Sequence, residues 1–233
     1  MEGAAPIGNL EWLPLLLQTA DALFPTGAYA HSLGFEESVR LGVVRDEATL
    51  GEYLRTQIAP VQAEQELPYL RFAWEARDVA ELCAIDCEID AWKLAQEARD
   101  ASAQIGGRRL AALCRISEAL ELIAFSEAIA SGHARGHHLV VCALQARAGG
   151  IPLAAALAAY FYQSVAAICA AAPKLIRIGQ DGCQRVLRVI NRDAETIVSR
   201  SLTVTRGNAG WFNPMLEIAS MRHARADERL FIS

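Results

Sequence analysis

Apolar residues recur at intervals of three and four along most of the chain, as in Leu110, Leu113, Ile116, Leu120 and Ile123. That spacing gathers them on one face of a 3.6-residue helix. Strand-like alternation is nearly absent. The one run that approaches it, Ser201-Leu202-Thr203-Val204-Thr205, reads as a loop or a helix lead-in. The pattern predicts a first helix over Leu10–Ala22, with Pro14 in the first turn, where a missing N–H does little harm. Phe24-Pro25-Thr26-Gly27 then breaks it. Further helices are expected over Ser32–Leu41, over Glu47–Glu64 with Asp46 as N-cap, and from Pro68 to about Arg77. Asp78–Cys87 follows, then Asp90–Ile105, which Gly106-Gly107 should end, and Arg108–Ile129. Beyond a Gly132–Gly136 loop, helices are expected over His138–Ala148, Ile151–Pro173 and Gln180–Ser199. No internal repeat or low-complexity linker interrupts this order, so the expectation is a single-domain, all-α bundle of roughly eight to ten helices over residues 1–233.

Composition narrows the picture. A chain of 233 residues buries enough surface to fold without metal or disulfide, and its richness in Ala, Leu and Ile with only eight prolines suits helices. A net charge of −5 with no sustained Lys/Arg block argues against nucleic acid as a partner. Six cysteines scattered through apolar helical sequence suggest a reduced protein. The N-terminus has Glu2 and no basic region before an apolar one, so it is not a secretory signal, and the expected location is cytoplasmic. Residues 148–173 carry no charge and are numerous enough to span a bilayer. Gly149-Gly150, Pro152, the central Gln163-Ser164 and an alanine-rich composition argue instead for a buried core helix and no membrane.

Candidate chemistry is sparse. There is no P-loop, Gly-x-Ser-x-Gly, His-Glu-x-x-His or paired Cys-x-x-Cys. Glu36-Glu37 and Glu64/Glu66 would be the carboxylates of a helical enzyme with an acidic small-molecule pocket, but charged residues at such spacing are expected on solvated helix faces. His133, His137 and His138 invite a metal reading. Neighbouring helical positions diverge by about 100°, so His137 and His138 are expected to pack or cap locally. Cys83 and Cys87 share a helix face without a second pair to complete a ligand set, and no metal site is expected. Tyr29, His31 and Ser32 follow the turn that Pro25 and Gly27 specify, which places polar side chains at a helix start. At the other end, Leu230-Phe231-Ile232 is apolar where termini normally fray, so it docks on its own domain or on another protein. Trp211, Phe212, Met215, Leu216 and Met221 add aromatic and methionine area before it.

Four stretches carry a resemblance. They are Leu23 to Glu37, containing Phe24-Pro25-Thr26-Gly27-Ala28-Tyr29; Gly136-His137-His138 with Gly149-Gly150-Ile151; Leu175 to Gln180; and Pro214 to His223 followed by Arg229-Leu230-Phe231-Ile232-Ser233. In order and spacing the chain resembles the UreF family of urease accessory proteins over nearly its whole length. The resemblance implies an all-helical, non-catalytic chaperone subunit, a homodimer, that binds UreD (UreH in some organisms), recruits the GTPase UreG and engages apo-urease. GTP hydrolysis by UreG is coupled there to nickel transfer; no cofactor is implied for this chain, and nickel is handled transiently by the complex. It further implies that Tyr29, His31, Ser32, Glu36 and Arg229 lie at a signature surface or nickel passage, with a Tyr29–Arg229 contact. Met221, His223, Leu230 and Phe231 fall to the end facing UreD, Gly179 and Gln180 to a turn that meets UreG. The tail from about residue 210 would be ordered by docking or partner binding. One departure is local: the family commonly has Pro-Leu before the Gly-Gln that stands here as Gly179-Gln180, where this chain has Arg177-Ile178.

Overall fold

The computed structural model describes residues 10–21, 23–27 and 34–223. In chain order the α-helices are α1 (Leu13–Ala20), α2 (Phe35–Arg40), α3 (Glu47–Tyr53), α4 (Ala59–Val61), α5 (Leu67–Glu75), α6 (Val79–Trp92), α7 (Gln96–Ile116), α8 (Leu120–Ala130), α9 (His138–Ala148), α10 (Leu153–Leu175), α11 (Gln180–Ile190), α12 (Ala194–Thr203) and α13 (Pro214–His223). Ten of them run eight residues or longer, no strand occurs among the described residues, and the architecture is the all-α bundle that the apolar spacing predicts.

The bundle is organised around α9. Its residues from Leu139 to Ala146 are all buried, so it presents no polar face and must be wrapped on every side. α5 and α7 pack most extensively against it, with α10 and α8 alongside. One contiguous apolar core follows, from Phe24 through Phe35, Leu67, Leu113, Phe125 and Phe161 to Ile197 and Val198.

Several elements depart from the expected boundaries for identifiable reasons. Glu47 to Glu75 is one uninterrupted helical rod, not two helices separated before Pro68. Leu54–Ile58 and Gln62–Glu66 are π-helical, and each lies just ahead of a proline, Pro60 or Pro68, at the start of the next α-segment. Widening to i→i+5 bonding relieves the i−4 carbonyl that a proline ring would strike. Asp46 caps this rod as predicted, accepting from the Thr49 N–H at 2.9 Å while Thr49 Oγ1 accepts from the Asp46 N–H at 3.0 Å.

Gly106-Gly107 does not end a helix either; α7 runs through it to Ile116. A Cβ on Gly106 would lie 2.0 Å from the Gly136 carbonyl oxygen and 2.9 Å from the His138 nitrogen, so this glycine lets the loop before α9 touch the α7 backbone. The break falls instead at Ser117–Ala119, and Gln180–Ser199 is split by a 3₁₀ turn at Asn191–Asp193. α10 covers the predicted core segment but is buried on one face only, through Leu157, Phe161, Val165 and Ile168. Its other face carries the half-buried Ala155 and Ala159 and the exposed Tyr162, so the expected core helix is buried on one side only. By length and composition alone it is one helix long and apolar enough to cross a membrane.

Candidate functional site

The two ends of the chain converge. Gly34 caps α2 in the left-handed region (φ +82°), and a Cβ there would meet the Ser220 backbone nitrogen at 3.3 Å and Ala219 Cβ at 3.5 Å. Without a side chain at this point, α13 lies directly on the start of α2. Glu37 sits beneath that contact with a side-chain exposure of 1%, and its carboxylate takes Arg40 Nε at 2.5 Å and Arg222 Nε at 3.4 Å. A carboxylate so removed from water is tolerated only with charge-assisted partners, and here one comes from each helix. Glu37 thus joins α2 to α13. The sequence reading put Glu36-Glu37 on a solvated face; Glu36 is half-buried and Glu37 fully buried, because a six-residue helix pressed against α13 has little solvated face to offer.

The segment leading into α13 is fastened to the rod. The Gly210 N–H donates to the Glu64 carbonyl (2.9 Å), the Trp211 N–H to Gln65 Oε1 (3.3 Å) and Asn213 Nδ2 to Gln57 Oε1 (2.9 Å). Phe212, just ahead of α13, is 72% exposed; on α13 itself Leu216 packs on the core and Ala219 is buried, whereas Met215, Ile218 and Met221 are about half exposed. At spacings of three these residues form one outward apolar face. Glu217 turns inward near Lys93 and the Ala95 N–H, and burial raises its carboxyl above the usual range against the opposing pull of Lys93.

Lys93 opens onto a polar seam in the interior. It lies 3.4 Å from Glu66, which also receives Gln62 Nε2 at 2.5 Å. Glu66 was another carboxylate expected on a solvated face; it is corrected to a half-buried one, turned inward by the π-turn that contains it. Tyr160 reaches Glu66, and burial followed by that negative charge holds its phenol well above its ordinary value. The Tyr160 ring lies 5.7 Å from that of His138, whose Nε2 meets Cys142 Sγ at 3.2 Å and Arg109 Nη1 at 3.4 Å. Arg109 is itself buried. Its Nε donates to Gln145 Oε1 (2.7 Å) and its Nη2 to the Thr19 carbonyl (3.0 Å), while Gln145 Nε2 reaches Thr19 Oγ1 at 2.5 Å. Thr19 is the one buried residue of α1, so this clasp attaches an otherwise shallow helix to the bundle. Burial, reinforced by the positive charges of Arg109 and Lys93, pushes the His138 imidazole well below its ordinary pKa.

The loop before α9 is held by another buried carboxylate. Asp86 is 0% exposed and accepts from the N–H groups of Arg135 (2.6 Å), Gly136 (3.1 Å) and His137 (2.7 Å). The Arg135 side chain bridges Asp90 and Asp100, and the buried His137 ring lies 3.2 Å from Asp90. His137 and His138 therefore diverge, one into this clamp and the other into the seam, and His133 turns outward to Ser131 at 2.8 Å. Among the described residues no three His, Cys, Asp or Glu side chains gather as a metal-ligand set.

The remaining expected positions divide as follows. Gly179 and Gln180 are exposed at the start of α11, with nothing within 4 Å of a Cβ on Gly179. Met221 lies on the outward face of α13, and His223 is the last residue of that helix. Tyr29, His31, Ser32, Arg229, Leu230 and Phe231, and with them the Tyr29–Arg229 contact, lie outside the described residues. Sequence reasoning missed Asp86 and Arg109, and it named Glu37 without its buried role. A usable signal existed for Asp86, an acid four residues after Leu82 and three before Ile89, on the face of the apolar row Leu82-Ile85-Ile89, but none for Glu37.

The UreF family model matches residues 44–191, from the approach to α3 through the end of α11. Over 218 residues the chain is 36% identical to the urease accessory protein UreF of Paenarthrobacter aurescens, which covers 94% of this chain and 96% of that protein. The UreF of an Arthrobacter species is 35% identical over the same span, and that of Haemophilus influenzae is 30% identical over 228 residues, 97% of each chain. These alignments extend beyond the family match into both ends, where α2 and α13 meet. The chain belongs to the UreF family of urease accessory proteins.

Proposed function

We propose that this chain serves urease activation as a non-catalytic bridge. It binds UreD (UreH) through α13 and the tail beyond it, recruits the GTPase UreG, and supports GTP-dependent insertion of nickel into apo-urease. The observation that carries this reading is the outward apolar face of Met215, Ile218 and Met221, set beside the Glu37–Arg222 contact in a member of this family. Exposed apolar area held on a docked helix is costly in water and is characteristic of a surface that a partner covers. We assign Met221, His223, Leu230 and Phe231 to the UreD-facing end, and Gly179 and Gln180 to a turn that meets UreG. The working form is a cytoplasmic homodimer.

Nickel is cargo in this reading and not a resident cofactor. We draw its route past Tyr29, His31, Ser32, Glu36 and Arg229, the residues that the family resemblance assigns to a passage. The interior seam suits it less, since Lys93 and Arg109 place two positive charges around His138, where an incoming divalent cation would be repelled. The rival reading, a helical enzyme with an acidic pocket, finds little support in the cavity beside Arg109. At about 20 Å³ it has room for a water but not for a substrate.

The test is reconstitution of purified apo-urease with UreD, UreG, GTP and nickel, scored by urease activity. Adding the chain should raise the activated fraction severalfold, and Glu37→Gln, which removes the charge between Arg40 and Arg222, should lower it. Equal activation with and without the chain would remove the bridging role.

A further inference from the structure

We propose that the face formed by α3 and α11 is a docking groove for an acidic segment of a partner protein, one whose carboxylates flank an apolar side chain. Four observations lead there. First, α11 is sharply two-sided: Cys183, Val186, Leu187 and Ile190 are buried while Gln184, Arg185, Arg188 and Val189 face out. Second, the charge on this side opposes that of the whole molecule. Between Lys174 and Arg192 there are five cations and a single anion, Asp181, in a chain whose net charge is −5. Arg177, Arg188 and Arg192 are exposed, and no ion pair engages them among the described residues.

Third, a groove of about 180 Å³ runs between the two helices, with Ala48, Gly51, Val186 and Val189 along it. Val189 is 43% exposed there. Arg55 and the Arg185–Glu47 pair, at 2.6 Å, also line the groove. Gly182 keeps the helices close: a Cβ there would lie 2.9 Å from Glu47 Oε2. Fourth, the cations are all arginines apart from Lys174, and the guanidinium fork binds carboxylates in two-point fashion while shedding water more readily than ammonium does.

The same features select the occupant. A nucleic acid would want a stacking ring, and none lines the groove. An apolar groove with cations on and beside it fits a peptide that alternates carboxylates with an aliphatic residue, the aliphatic seated against Val189 and the carboxylates reaching Arg55, which lines the groove, and Arg188, which faces out from α11 beside it. This inference does not depend on the urease reading, because the groove's chemistry would hold for any partner.

The probe is a fluorescein-labelled peptide of repeating Glu-Glu-Leu, titrated with the full chain and followed by anisotropy at low salt. Its comparators are a Glu-Glu-Gln peptide and an oligothymidine of matched charge. The Leu peptide should bind best, and added salt should weaken it as screening shortens the reach of the arginines. Arg188→Glu should weaken binding about tenfold, whereas Arg115→Glu, an equal charge change on α7, should leave it unaltered. Val189→Asn should erase the preference for the Leu peptide. The proposal is overturned if the Leu peptide does not bind, if oligothymidine binds as tightly, or if Arg115→Glu weakens binding as much as Arg188→Glu. Light scattering that showed the chain doubling in mass, with the doubling abolished by Arg188→Glu, would assign the face to a second copy instead.

Discussion

Gly106 and Gly107 are neighbours in the middle of α7, yet alanine should change stability in opposite directions at the two sites. Helix propensity favours alanine over glycine by about 1 kcal/mol at an interior position. At Gly107 nothing lies within 4 Å of the added Cβ, so that gain should appear nearly whole, as stabilisation of roughly 0.5–1 kcal/mol. At Gly106 the Cβ would stand 2.0 Å from the Gly136 oxygen, over an ångström inside normal contact, and close to the backbone of His137 and His138 as well. Those atoms cannot rotate away as a side-chain tip would, because Asp86 clamps the N–H groups of Arg135, Gly136 and His137. The relief must come from parting α7 and α9. A radial gap approaching 1 Å forfeits a quarter to a half of the dispersion energy across a packed surface, and overpacking of this kind typically costs about 1–3 kcal/mol or more. So close an approach to backbone puts the clash at the upper end of that range, about 3 kcal/mol, and with the propensity gain subtracted Gly106→Ala should lose about 2 kcal/mol net. Urea unfolding followed by far-ultraviolet circular dichroism reads both variants, with the midpoint rising for Gly107→Ala and falling for Gly106→Ala. Midpoints that rise together would refute the close approach of α7 to the loop before α9.

Asp86→Ala leaves three N–H groups, two of them in buried bonds, without an acceptor and should cost about 3–5 kcal/mol in the same assay; a loss below about 1 kcal/mol would mean the loop does not rely on the clamp. The depressed pKa of His138 makes a statement about acid. The unfolded chain takes up a proton near pH 6.5 and the folded chain resists it, so stability is retained above that pH and falls as pH drops below it. The slope reaches at most about 1.4 kcal/mol per pH unit from this group, and His138→Leu should flatten it, as read from urea midpoints across mildly acidic pH; an unchanged slope would place the acid sensitivity elsewhere. Gly34→Ala combines a left-handed backbone, worth roughly 1–2 kcal/mol to an L-residue, with a 3.3 Å approach to Ser220. It should speed amide exchange in α13 selectively, and uniform or unchanged exchange would contradict the docking of α13 on α2.

What the sequence made legible follows the range of the forces involved. Local signals were read well: Asp46 caps its helix, Pro14 sits in a first turn, Gly27 adopts the left-handed φ of +72° that its turn needs, and α9 begins at His138 and ends at Ala148 as its apolar run suggests. Signals whose meaning depends on distant chain were misread. Gly106-Gly107 looks like a helix stop until the loop before α9 is laid on it. Pro68 looks like a start until π-turns absorb it without a break. Glu37 and Glu66 look solvated because nothing local announces Arg222, 185 positions further along, or Lys93. The resemblance implied a Tyr29–Arg229 contact between the ends, which lies outside the described residues, whereas the contacts through Gly34, Glu37 and Arg222 are legible only in three dimensions.

The most direct test of the account is complex formation by the full chain. Purified chain, UreD and UreG would be mixed and passed over size exclusion with light scattering, comparing wild type with Met215→Asp/Ile218→Asp. Both substituted residues are about half exposed, so circular dichroism should report an unchanged fold. The account predicts co-elution of the three proteins with the wild type and loss of UreD from the variant. A variant that is folded and assembles as the wild type does would contradict the assignment of α13 as the partner-binding face.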